Sequence, residues 1–212
     1  MSQTITRLFD DYADAKVAVD ELERIGVPHG DLSIVANNAH GAHGTSDHGD
    51  GHDATDINDH GDVSVGASTG AAIGGVGGLL AGLGLLAIPG LGPIVAAGWL
   101  AATAAGAAIG GIGGAATGGL VGALKNAGHS DDDANVYSEG VRRGGTLVSA
   151  RVEDNLVGQA EAALDGNRGV SASTRGADYR ETGWTRFDEN AAPYGVDEIE
   201  RDKATYRQPS NV

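Results

Sequence analysis

Residues 63–124 carry no charged side chain, and glycine recurs through them at helical spacing. In "GASTGAAIGGVGGLLAG", residues 66–82, every fourth position is glycine: Gly66, Gly70, Gly74, Gly78 and Gly82. Past "AIPGLGP" the row resumes with Gly98, Ala102, Gly106, Gly110, Gly114, Gly118 and Gly122. Each glycine inside a helix costs about 0.8–1.0 kcal/mol relative to alanine, so the repetition needs a compensating gain. Residues four apart share one helix face, and a row of glycines leaves a groove that a facing helix can approach closely. Pro89, Gly90, Gly92 and Pro93 cannot continue a helix. The spacing therefore predicts an antiparallel glycine-zipper helical hairpin with its turn at those four residues.

Length suits a bilayer for this hairpin. About 24 residues precede the turn and about 30 follow it, against ~20 needed to span the hydrocarbon. Residues 65–88 carry nine Leu, Ile or Val, each worth only about −0.3 to −0.6 kcal/mol at a helix centre, so the two helices are expected to insert together. Trp99 lies near the turn, where an interfacial anchor is useful. The turn lacks Lys and Arg, whereas Lys125, Arg142 and Arg143 follow the second half. That asymmetry places both termini in the cytoplasm and the segment in a bacterial inner membrane. The alternative is a cytoplasmic, water-soluble homo-oligomer that buries the same glycine faces between subunits.

The chain organises into five zones. Residues 1–36 read as strand, helix, strand, with Ala15, Val19, Leu22 and Ile25 on one helix face and a stop at Gly26. Residues 37–62 are polar and low in complexity, the pattern of a flexible loop. Residues 63–124 are the apolar hairpin. Residues 125–176 resume globular patterning: a helix over "SDDDANVYSEGVRRGG" capped by Ser130 or Asp131, a strand "TLVSARV", a helix with Leu156, Val157, Ala160 and Leu164 inward, and a weaker strand "GVSAST". Residues 177–212 read as a loosely ordered tail. The first and fourth zones echo each other, and two strand-helix-strand units make an α+β, ferredoxin-like sheet interrupted by the hairpin.

The net charge of −15 excludes a nucleic-acid partner and a polybasic grip on anionic lipid. There is no cysteine, hence no disulfide and no thiolate chemistry. The first residues lack an apolar stretch, so no cleaved signal peptide is expected. His40, His43, His48, His52 and His60 alternate with aspartates in the loop. They are weak candidates for a divalent transition metal, because their spacing fits no structural zinc signature and the loop must be ordered to bind. "GGVGG" and "GIGGAATGG" lack the strand, the GK[ST] and the acidic partner of a nucleotide loop, so no cofactor is expected. Arg142 and Arg143 suit a helix C-terminus, where cations complement the dipole. Trp184, Phe187, Tyr194 and Tyr206 in the tail are expected to fold back onto the sheet. No catalytic set and no small-molecule substrate are identifiable.

Four stretches together resemble a known family: "TRLFDDYADAKVAVDELERIGVPHGDLSIVANNA", "AIPGLGPIVAAGWLAA", "DDANVYSEGVRRGGTLVSARV" and the tail "YRETGWTRFDENAAPY". They are similar to bacterial general stress proteins with the 17M-like domain, a group that includes heat- and low-temperature-induced proteins. The resemblance covers most of residues 4–175. It implies stress-linked expression, a glycine-rich segment taken as transmembrane, and no established biochemical activity or catalytic residues. The resulting expectation is a non-enzymatic, membrane-associated stress protein that self-associates through its hairpin. The alternative is a soluble homo-oligomeric scaffold or binding module.

Overall fold

The computed structural model describes residues 2–41, 84–109 and 119–206. Strand β1 (Ser2–Phe9) alternates its side chains between two buried faces, sending Ile5 and Phe9 one way and Leu8 the other. Helix α1 (Tyr12–Arg24) buries Ala15, Ala18, Val19 and Leu22 along one stripe. It stops at Gly26, whose φ of +100° few other residues adopt. Strand β2 (Leu32–Asn37) is buried at all six positions, which marks it as central.

Next come strands β3 (Gly84–Ile88) and β4 (Gly92–Gly98), then helices α2 (Trp99–Ile109), α3 (Gly119–Asn126) and α4 (Asp131–Arg142). Strand β5 (Thr146–Glu153) and helices α5 (Val157–Gly166), α6 (Ala172–Glu181) and α7 (Val196–Tyr206) complete the order. The five strands form one sheet in the order β1-β5-β2-β4-β3, with every neighbouring pair antiparallel. Thus β5 lies between β1 and β2, and the β3–β4 hairpin extends the β2 side. One apolar cluster joins Ile5, Phe9, Val19, Leu22, Ile34, Val148 and Leu164, so α1 and α5 cover that face. The other joins Leu8, Val35, Ile94, Leu100, Leu124, Val141, Leu147 and Tyr179, under α2, α3, α4 and α6. The protein is therefore α+β, with helices on both faces of an antiparallel sheet.

The structure corrects the hairpin between residues 84 and 98. Both sides of the "AIPGLGP" turn are strands, not helices. The Leu91 N–H donates to the Ile88 carbonyl at 3.0 Å. With Pro89 second and Gly90 third at φ +77°, this is the pattern of a type II turn. Gly92 is the first residue of β4, also at φ +77°, and Pro93 pairs with Ala87 in the hairpin register. Gly98 ends β4 at φ +87°, and a Cβ there would strike the Leu32 carbonyl oxygen, so its role is close approach to β2. Gly106 lies in α2 and Gly122 in α3, as the helical spacing expects. Gly66, Gly70, Gly74, Gly78, Gly82, Gly110, Gly114 and Gly118 lie outside the described residues, as do His43, His48, His52 and His60.

Two further expectations change. "GVSAST" contributes a single bridge between Val170 and Leu8, after which Ser171 accepts from the Thr174 N–H and starts α6. A capping hydroxyl has competed with strand continuation and won. The tail through residue 206 is ordered, ending in α7, because its aromatic and aliphatic side chains find apolar ground on the globule.

Candidate functional site: the bed of the C-terminal arm

Two turns and an arm meet at one end of the sheet. Helix α4 begins at Ser130, whose hydroxyl accepts from the Asp133 N–H, and three aspartates fill its first turn. It ends with Arg142, Arg143 and Gly144, the last at φ +92°. Glu139, 1% exposed, accepts from Arg143 Nε at 2.7 Å and lies 3.5 Å from Arg142 Nη1. Burying this carboxylate is tolerable because both guanidinium groups face it.

Residues 184–206, here called the arm, lie across that end. Arg143 Nη1 donates to Asp202 Oδ1 at 2.9 Å, and its guanidinium stacks 4.3 Å from the centre of the Tyr179 ring. Arg142 donates to the Ala192 carbonyl at 3.0 Å and stands 4.8 Å from the Tyr194 ring centre. Trp184 meets Tyr179 edge-to-face at 5.7 Å, and Phe187 packs on the apolar cluster beneath. Ile199 is fully buried and sits where a Cβ on Gly144 would be.

The proline-glycine turn supplies the rest of the bed. A Cβ on Gly90 would lie 2.8 Å from Glu189 Cα and 3.0 Å from Phe187 Cζ. A Cβ on Gly92 would lie 2.9 Å from Pro193 Cβ. Gly90 admits the backbone of the arm and Gly92 the Pro193 ring.

The electrostatics follow from burial. Burial pulls the Arg143 guanidinium down in pKa, but the hydrogen bond to Glu139 and the charge of Asp202 reverse this, leaving it raised. Burial pushes the Asp202 carboxyl up against the opposing pull of Arg143. Burial also pushes the Tyr179 phenol up, so it stays neutral. The charges of Glu139, Arg143 and Asp202 pair with one another and tie the arm to the end of α4.

Beside the arm lies an open groove of about 560 Å³, lined among others by Asn37, His40, Thr146, Arg168, Glu200 and Lys203. His40 Nε2 is 3.1 Å from Glu200 Oε1, so this candidate ligand meets α7. Among the described residues no group of three or more His, Cys, Asp or Glu is arranged around a metal position. Arg168 holds a φ of +68° and donates to Asp14 Oδ1 at 2.6 Å.

A second polar cluster lies between β1, β5, α4 and the turn that precedes α4. Thr6 Oγ1 lies 2.7 Å from His129 Nε2 and 2.9 Å from Ser149 Oγ. The Tyr137 hydroxyl donates to the Thr6 carbonyl at 2.7 Å and accepts from the Ala172 N–H at 3.1 Å. Thr6 is 1% exposed and Ser149 fully buried, so these hydroxyls staple β1 to β5, while the His129 ring at the end of the chain is half-buried.

Arg142 and Arg143, read as helix-end cations, thus also hold the arm; Trp184 and Phe187 fold back onto the apolar cluster as expected, Tyr194 meets the two arginines at the end of α4 instead of the sheet, and the Tyr206 side chain lies outside the described residues. Glu139, Tyr179, Ile199 and Asp202 were not singled out by spacing. Ile199, an isolated aliphatic among charges, was the available signal. Compared with known protein families, curated proteins and solved structures, the chain matches none.

Proposed function

We propose that this chain is a non-enzymatic bacterial stress-response protein that acts as a soluble binding module, with the arm bed as its working surface. One observation carries the reading. The proline-glycine turn, the double-arginine turn and the C-terminal arm, far apart in sequence, converge on one peptide-holding clamp whose charges pair internally. The resemblance to general stress proteins supplies the biological setting.

The core reads as ferredoxin-like. β1-α1-β2 forms the first half, and β5-α5 with the Val170 bridge forms the second. The β3–β4 hairpin, α2, α3 and α4 are then inserted after β2. The inner-membrane reading loses support because residues 84–88 of the first expected span and 94–98 of the second form strands of the central sheet. No helix of the described residues is long and apolar enough to cross a membrane.

Alkaline carbonate extraction of cells producing the full-length chain tests the choice. Release into the supernatant is expected, and retention in the membrane pellet overturns the reading.

A further inference from the structure

We propose that the groove beside the arm binds a small hydrophilic anion, a carboxylate or phosphate ester, held by Thr146, Lys203 and the first turn of α1. This site is separate from the arm bed and does not depend on the function given to that bed.

Thr146 opens β5 opposite Phe9 of β1 and Ala36 of β2. It stands two residues before Val148, so its side chain points to the sheet face that α1 covers. The residue is 2% exposed and lines the groove, and among the described residues its hydroxyl makes no hydrogen bond. A hydroxyl so enclosed costs stability until something bonds to it, and the groove is where a partner can reach it. The first turn of α1 faces the same space, with Ala13 and Asp14 in the groove wall. Asp11, the N-cap, gives that turn no side-chain hydrogen bond. The N–H groups of Ala13 and Asp14 therefore lack the acceptor that a capped helix supplies. Because α1 runs thirteen residues, partial positive charge gathers at these groups.

Lys203 of α7 supplies a full charge. It lines the groove and makes no ion pair among the described residues. Two of the carboxylates there are answered locally: Asp14 accepts from Arg168 at 2.6 Å, and Glu200 faces His40 at 3.1 Å. Asp11 and the net charge of −15 work against an anion, which sets the expected affinity in the millimolar range. The groove, at about 560 Å³, is larger than a bare ion needs, and its walls are mostly polar. Its occupant is accordingly an anionic head on a hydrophilic body.

Amide NMR on the isotope-labelled full chain reads the site directly. Inorganic phosphate and acetate, each titrated at constant ionic strength, are the probes, and their ranking separates phosphate from carboxylate recognition. The Ala13 and Asp14 signals are expected to shift saturably with at least one of them. Thr146→Val keeps the shape of its side chain without the hydroxyl, and Lys203→Met keeps most of the length without the charge. Each is expected to weaken binding about tenfold, the loss of one hydrogen bond to a charged group. Far-UV circular dichroism checks that both variants keep their sheet and helices; should Lys203→Met loosen α7, Thr146→Val decides alone. The proposal is overturned if neither probe gives a saturable shift, or if a folded variant keeps the original midpoint.

Discussion

Arg143 binds three groups at once: Glu139 below it, Asp202 on the arm, and the face of Tyr179. Arg143→Ala leaves the buried Glu139 carboxylate with only the more distant Arg142, 3.5 Å away, and losing one partner of a buried pair costs up to roughly 3–5 kcal/mol. Urea unfolding should show that loss. Arg143→Lys should recover part of it, since an ammonium cannot present the same planar fork to both carboxylates. His129 makes a different prediction. Burial depresses its pKa, with a smaller opposing pull from Asp133. The folded state therefore binds fewer protons than the unfolded chain, whose histidine titrates near ~6.5. Stability from this group is present above that value and is lost as pH falls through the depressed one. Melting temperature should decline on acidification below about pH 6.5, and His129→Gln should flatten that part of the profile. An unchanged slope would remove His129 as the cause.

At the scale of elements, the proline-glycine turn shows what spacing can and cannot tell. Gly98, Gly106 and Gly122 fit a four-residue row equally well, yet Gly98 closes a strand while the other two lie in helices. Periodicity in a short apolar run does not separate a buried strand from a buried helix. What decides residues 94–98 is pairing with β2, a contact more than fifty residues away that no local window contains, and residues 84–88 then pair with that strand across the turn. By contrast β1, α1, β2, α4, β5 and α5 were legible, because alternation, caps and apolar stripes agree there. The bed was only half legible: its glycines and arginines stood out, but the approach of the arm that explains them is tertiary. The turn is testable through Gly90→Ala, which meets both the positive φ and the backbone of Glu189. Hydrogen exchange should show residues 187–199 losing protection while β2 and β5 keep theirs. Gly26→Ala is the control, since its φ of +100° imposes strain with nothing within 4 Å. It should lower stability of roughly 1–2 kcal/mol without freeing the arm.

For the whole molecule, the sheet order makes the long connection from β2 to β3 dispensable in principle. β2 and β3 both pair with β4, and β4 is tied to β3 by a three-residue turn, so the hairpin can register on β2 without instruction from the connection. Loop-closure entropy grows only logarithmically, each doubling of length costing about 0.6 kcal/mol. Deleting residues 42–62, which removes His43, His48, His52 and His60 but keeps His40 beside Glu200 of α7, roughly halves the connection. The expected result is a melting temperature equal to or slightly above that of the full chain, with the arm still protected from exchange. Calorimetric titration with Ni²⁺ and Zn²⁺ on the same pair of proteins separates the chemistry from the scaffold: equal heats end the metal role of the loop histidines, and a loss confined to the deletion assigns it to them. A large drop in melting temperature would mean instead that the connection packs on the sheet, and that the hairpin is held to β2 by more than its own hydrogen bonds.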